Sequence, residues 1–130
     1  MKKGLLSALT LAAAFALVAA PATIVPTSAY AADGTWNQIP TSSSYITTSY
    51  TTYRAFVTDG GDVKVSLVSN STGGSVYARL VNQSGTVIGG AAPISGASSM
   101  VWTGMKAGST VIVELKTTGS AGYVLANIWD

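Results

Sequence analysis

The chain has 130 residues, of which seven are Lys or Arg and five are Asp or Glu, and it contains neither cysteine nor histidine. Without cysteine it has no disulfide, no thiolate metal site and no catalytic thiol. Without histidine it also lacks the commonest general base and the commonest transition-metal ligand.

Residues 1–31 are predicted to be a signal peptide. Lys2 and Lys3 precede an apolar run over residues 4–20, which is shorter than the roughly 20 residues that span a bilayer. Ala29 and Ala31 flank Tyr30 in an A-x-A cleavage pattern. We therefore expect a secreted, extracellular product that begins at residue 32 and has no membrane-spanning segment.

Removal of this leader makes the chain formally neutral. Of the seven Lys and Arg residues, Lys2 and Lys3 would be removed, so five remain against five acidic residues. A nucleic-acid partner requires clustered positive charge, and the remaining basic residues are scattered along the sequence. We therefore expect no nucleic-acid partner.

Residues 32–44 are predicted to be a tail or linker, and residues 45–130 a β-sandwich domain. Apolar and polar residues alternate over 62–69 and 111–116, which is typical of half-buried antiparallel strands. The remaining predicted strands cover 43–48, 50–58, 75–82, 86–91, 98–103 and 122–129, with glycine-rich turns between them. Seven to eight such strands predict an all-β, two-sheet antiparallel β-sandwich of jelly-roll or immunoglobulin-like order.

Asp59 and Asp62 are the most concentrated acidic pair in the predicted domain. They flank Gly60 and Gly61, which permit the positive φ of a tight turn. A calcium ion needs about six to eight oxygen ligands, and this spacing does not match a calcium-binding loop. We predict a hairpin corner and no metal or other cofactor, with calcium binding as the weaker alternative.

No arrangement in the sequence predicts catalysis. A nucleophile needs an adjacent base, and a glycosidase needs two carboxylates across a cleft. Glu114 instead lies beside Lys116 on the polar side of an alternating strand, as expected for a solvated face. We therefore expect that the protein is not an enzyme.

Aromatic residues provide the candidate ligand-binding site. In the predicted last strand, Tyr123, Leu125, Asn127 and Trp129 share the face opposite Val124, Ala126 and Ile128. Of these, Tyr123, Asn127 and Trp129 are candidate ligand-binding residues, together with Trp102 on a preceding strand. Exposed aromatic rings beside amide groups can stack on sugars or anchor a protein partner. The alternative for Trp102 and Trp129 is packing in the core.

The segment from residue 41 to 53 is rich in Ser, Thr and Tyr and carries no charge. It has high β propensity and a poorly specified hydrophobic register. It is predicted to form an edge strand with a polar outer face. The alternative is an edge that pairs with another copy of the chain in an assembly.

From Tyr53 onward the order of elements resembles the bacterial pre-peptidase C-terminal domain. "YRAFV", "DGGD" and "VKVSLVS" are similar to the family's aromatic strand, Gly-Gly turn and following strand, and "VYARLVNQSGTVIG" is similar to its next hairpin. The resemblance implies a secreted jelly-roll sandwich. Gly74 and Ser75 stand where the family usually has an acidic residue, and only Asp33 is acidic near the linker, so calcium and collagen binding are not implied.

These observations predict a secreted, non-enzymatic module that binds a carbohydrate, cell-wall or protein surface. A self-assembling extracellular subunit is the first alternative. The second is a secreted toxin, because "DGTW" at residues 33–36 resembles the opening of lactococcin-type secreted bacteriocins.

Overall fold

The structure is a computed structural model that describes residues 27–28 and 36–130. The signal peptide and the cleavage motif predicted from the sequence lie almost entirely outside these residues, as does most of the "DGTW" motif. The described residues form ten strands and no helix: β1 (Thr27–Ser28), β2 (Gln38–Ile39), β3 (Ser44–Ile46), β4 (Thr51–Val57), β5 (Gly61–Asn70), β6 (Val76–Val81), β7 (Val87–Ile94), β8 (Met100–Met105), β9 (Thr110–Thr117) and β10 (Gly122–Trp129).

The strands form two sheets. Sheet A has the order β1-β4-β9-β6-β7, and sheet B has the order β2-β10-β5-β8, with β3 also paired to β10. All neighbouring strands are antiparallel except β1, which runs parallel to β4. The predicted all-β, two-sheet antiparallel sandwich is confirmed, and eight of its strands contain three or more residues.

The strand pairing decides between the two predicted orders. β3 pairs with β10, β4 with β9, β5 with β8 and β6 with β7. This is the nested pairing of one long hairpin whose arms are rolled into two sheets. The described strands therefore follow the jelly-roll order.

The core lies between the sheets and follows from the two-residue period of the strands. Alternate side chains of β5, β9 and β10 point inward, and Phe56, the penultimate residue of β4, is fully buried. The inward residues of the three strands are almost all β-branched or small: Val63, Val65, Val111, Val113, Leu115, Val124, Ala126 and Ile128. Because the sequence has no cysteine, the burial of these apolar side chains stabilises the fold without any disulfide.

The segment assigned to a tail or linker on sequence, residues 32–44, contributes to sheet B from residue 38 onward. β2 and β3 lie along the same edge of β10, at opposite ends of that strand. Ile39 and Ile46 are both buried in the core. Pro40 separates the two short strands, because proline cannot donate a hydrogen bond to a sheet.

The hydroxyl group of Tyr53 fills the gap between β2 and β3. It accepts a hydrogen bond from the backbone N–H of Ala126 at 2.9 Å. Its proton is directed to the carbonyl oxygen of Ser42 at 2.9 Å, with the carbonyl oxygen of Ala126 3.2 Å away. The hydroxyl of Thr41 also donates to the Ala126 carbonyl, at 2.6 Å. Side chains thus satisfy the one stretch of β10 that the broken edge strand leaves unpaired.

We predict that Tyr53→Phe lowers the free energy of unfolding by about 1–3 kcal/mol, because the partly buried Ala126 N–H loses its acceptor. Urea denaturation measures the change. Tyr45→Phe is the matched control, since Tyr45 is exposed on β3 and should unfold like the unmodified protein. Equal stability of the two variants would contradict this role for the Tyr53 hydroxyl.

Candidate functional site

The outward side of sheet B carries a row of aromatic and polar side chains, which we call the aromatic face. It consists of Trp36, Tyr45, Lys64, Tyr123, Asn127 and Trp129. Its main axis is β10, where the even-numbered residues are buried in the core and the odd-numbered residues point away from it. The prediction that Tyr123, Asn127 and Trp129 share one outward face thus agrees with the burial pattern of β10.

Two tyrosines form one end of the aromatic face. Tyr45 on β3 is directly opposite Tyr123 on β10, and their ring centroids are 5.3 Å apart with the ring planes at 69°. This edge-to-face geometry suits the charge distribution of aromatic rings. Tyr45 is 56% exposed and Tyr123 is 60% exposed, so both rings remain available to a ligand.

Two tryptophans and a lysine form the other end. Lys64 on β5 is directly opposite Trp129 on β10. The Lys64 Nζ lies 4.6 Å from the centroid of the Trp129 ring and 4.6 Å from that of the Trp36 ring, within the range of a cation–π interaction. Trp36 precedes β2 and is 41% exposed. The lysine therefore joins two indoles from distant parts of the chain.

Two amide side chains lie toward the tryptophan end. Gln38 on β2 is directly opposite Trp129, and it donates a hydrogen bond from Nε2 to Oδ1 of Asn127 at 3.1 Å, which orients both amides. Tyr123 and Trp129 are six residues apart on β10, so their Cα atoms are separated by about 20 Å at roughly 3.3 Å per residue. The aromatic face is thus an elongated strip with a ring pair at each end and hydrogen-bonding amides beside the tryptophan end.

Trp102 does not belong to the aromatic face. It is only 6% exposed, and its indole Nε1 donates to the carbonyl oxygen of Gly90 at 2.8 Å. A Cβ atom at Gly89 would lie 2.7 Å from the Trp102 ring, so the ring packs directly on the backbone of β7. The structure therefore places Trp102 in the core, which is the alternative that the sequence left open, and removes it from the ligand-binding candidates.

The tryptophans on the two sides of sheet B should respond differently to truncation. We expect Trp102→Ala to lower the free energy of unfolding by about 3–5 kcal/mol, because it leaves a cavity and an unpaired Gly90 carbonyl. Trp129→Ala removes a ring from the outward face and should cost much less. Urea denaturation of both variants measures the difference, and a similar loss for both would contradict this assignment.

The outward side of sheet A has a different character. Arg79 and Glu114 form a salt bridge with Nε 2.8 Å from Oε1. The Tyr50 ring lies 4.0 Å from the Arg79 guanidinium and 5.0 Å from the Lys116 ammonium. Burial raises the pKa of the Tyr50 hydroxyl above its ordinary value. Arg79 and Glu114 neutralise each other, and the remaining cation, Lys116, contacts the Tyr50 and Tyr77 rings, so this side has the features of a structural cluster.

The Asp59–Asp62 segment is a corner between the sheets. It joins β4 of sheet A to β5 of sheet B, so the predicted hairpin is wrong, although Gly60 and Gly61 adopt the expected positive φ of 98° and 89°. The carboxylate that organises the corner is that of Asp130. It accepts hydrogen bonds from the Thr58 hydroxyl at 2.7 Å and the Asp59 N–H at 2.9 Å.

Residues 27–28 and 36–130 contain no group of three or more acidic residues that could hold a metal ion. A calcium ion requires more carboxylate and carbonyl oxygens than Asp59 and Asp62 provide. We therefore assign this corner a structural role.

A cleft of about 370 Å³ opens between the β5–β6 and β7–β8 loops, lined in part by Leu67, Val76 and Ile94. Asn70 is the largest polar side chain on its rim. Its amide is already bonded within its own loop, to the Gly74 carbonyl at 2.8 Å and the Thr72 N–H at 2.9 Å. None of the described residues that line the cleft is aromatic, so the aromatic face is the stronger candidate for a site at which a ligand stacks.

Comparisons with protein-family models, with curated proteins and with solved structures gave no match to the chain. The site is therefore assigned from its own geometry. Within the described part of the chain, no helix is long and apolar enough to cross a membrane.

Three members of the aromatic face were not among the residues predicted from sequence: Trp36, Tyr45 and Lys64. Tyr45 and Lys64 lie 78 and 65 residues from their β10 partners, Tyr123 and Trp129, and reach them only through strand pairing. Trp36 joins the face through its contact with Lys64. Aromatic content and alternation mark Tyr45 as a candidate, but no local pattern connects it with Tyr123. Lys64 was interpreted only as the polar side of an amphipathic strand.

Proposed function

We propose that the protein is a secreted, non-enzymatic binding module whose aromatic face binds a polysaccharide, such as a cell-wall glycan. The observation that carries this proposal is the pair of exposed ring clusters about 20 Å apart on one face of β10. Flat aromatic rings stack on the apolar faces of sugars, and rings spaced along a sheet can contact several units of one polymer.

The shape and polarity of the face favour a polysaccharide over a protein partner. Protein hot spots are desolvated pockets filled by an anchor residue, whereas Tyr45 and Tyr123 project from an open sheet. The oriented amides of Gln38 and Asn127 can exchange hydrogen bonds with sugar hydroxyls beside the tryptophan end. Elongation, exposed rings and oriented amides together suit an extended, hydroxyl-rich chain.

The same face supports binding without hydrolysis. Lys64 carries the only charge among its six residues, and a glycosidase requires two carboxyl groups on either side of the scissile bond. We propose that the polysaccharide binds to the aromatic face without being cleaved. The module would thereby attach a protein or cell surface that carries it to the polymer.

We further propose that the chain is related to the bacterial pre-peptidase C-terminal domains. The jelly-roll order of β3 to β10 supports this proposal, because it is the order that the resemblance implies. The predicted leader supports an extracellular location. Neither calcium nor collagen binding is part of the proposal.

We expect the purified protein to bind at least one insoluble glycan among cellulose, chitin and peptidoglycan. Tyr123→Ala and Trp129→Ala should each weaken that binding by about ten-fold, since loss of one stacked ring removes on the order of 1.4 kcal/mol. Binding isotherms with the washed polymers measure the effect.

Tyr77→Ala is the matched control, because it removes an aromatic ring from the outward side of sheet A. It should retain full affinity. A protein that binds none of these polymers, or one whose affinity falls equally in the control, would overturn the proposed site.

Self-assembly is a second candidate, favoured by the edges of the two sheets. The Ser/Thr/Tyr-rich segment crosses between them and supplies β3 at one edge of sheet B and the first three residues of β4 in sheet A. Among the described residues, the outer edge of β4 pairs with Thr27 and Ser28, which belong to the predicted signal peptide. Cleavage of that peptide would leave the β4 edge open to strand addition.

Light scattering coupled to size-exclusion chromatography separates the two functions. For the polysaccharide-binding module we expect one monomeric species at all concentrations, because β3 is short and the pairing of β4 with β9 shifts register between Thr52 and Arg54. Discrete oligomers or fibres formed by the leader-free protein would favour assembly.

A further inference from the structure

The ammonium group of Lys64 contacts the indole rings of two tryptophans. Its Nζ lies 4.6 Å from the ring centroids of both Trp36 and Trp129. Among the described residues, the only salt bridge is Arg79 with Glu114, on the outward side of sheet A. The Lys64 ammonium group thus has no carboxylate within salt-bridge distance in this part of the chain.

The position of Lys64 in the sheet restricts the conformations that its side chain can adopt. It lies on the central strand β5, directly opposite Trp129 on one side and Val101 on the other. Its side chain is partly buried between these neighbours and Trp36. A lysine normally loses considerable conformational entropy when a ligand fixes it, and the two indoles have already removed much of that freedom.

The indole rings attract the ammonium group, and its three N–H donors stay open to solvent and to a ligand, because no hydrogen bond joins them to another described residue. A cation that is partly removed from water and has unused donors interacts most favourably with an anion. That anion would have to lie beside a unit stacked on Trp129.

We infer that the polysaccharide is anionic, and that Lys64 selects it by contacting a carboxylate or phosphate group on the sugar unit at the tryptophan end. This inference rests on the proposed function of the aromatic face. The tyrosine end and the Gln38–Asn127 amides carry no charge and contact the neighbouring units regardless of the acidic group.

The test compares polymers that differ in charge. Polygalacturonate supplies carboxylates, and its fully methyl-esterified form is the neutral counterpart. A phosphorylated mannan supplies phosphates on sugar units, and the unphosphorylated mannan is its neutral counterpart. The unmodified protein should bind one of the acidic polymers at least ten-fold more tightly than its neutral counterpart. Its affinity should fall as salt is raised, because exposed charges are screened.

Lys64→Gln should bring the affinities for that acidic polymer and its neutral counterpart to within about two-fold of each other, whereas Lys64→Arg should keep the preference because the charge remains. Lys116→Gln is the matched control, since Lys116 contacts Tyr50 and Tyr77 on the other sheet and should not alter any affinity. The acidic polymer that responds to Lys64→Gln identifies whether carboxylate or phosphate is recognised.

Two results would overturn the inference. If Lys64→Gln weakens binding to the neutral and acidic polymers equally, Lys64 only holds the tryptophans in position. If the unmodified protein does not distinguish charge, yet Trp129→Ala still weakens all binding, the polysaccharide-binding function stands and the choice of an anionic polymer is wrong. Absence of binding to every polymer overturns both proposals.

Discussion

The register of β10 determines both the core and the candidate site. Val124, Ala126 and Ile128 on its inner side are fully buried, while Tyr123, Asn127 and Trp129 lie on its outer side. A slip of one residue would exchange the two sets, since successive side chains of a strand point to opposite faces. Pairing with β2, β3 and β5 prevents that slip. Folding stability and ligand geometry therefore depend on the same hydrogen-bond ladder.

The two outward surfaces of the sandwich show how the same sheet architecture can support different roles. On sheet A the charges of Arg79 and Glu114 neutralise each other beside Tyr50. On sheet B the charge of Lys64 is held between Trp36 and Trp129 with no carboxylate partner among the described residues. The first arrangement contains a neutralised ion pair, which the second lacks.

The sequence allowed the strands and the site residues on β10 to be predicted, because the alternation of side chains within one strand depends only on local spacing. It could not decide the position of Trp102, since alternation on β8 separates Met100 and Trp102 from Val101 without showing which side is inside. Packing against Gly89 decides it. Tyr45 and Lys64 were not predicted because their place in the site depends on register between distant strands.

The order of the strands along the chain has a consequence for biosynthesis. β10 is the last strand, yet it lies in sheet B between β5 and the two N-terminal strands β2 and β3. While the ribosome is still producing this strand, β2 and β3 have nothing to pair with and β5 exposes an open edge. The domain can therefore complete its folding only after synthesis of the whole strand, and such long-range pairing is slow. Until then, the edges of β2, β3 and β5 remain available for incorrect pairing.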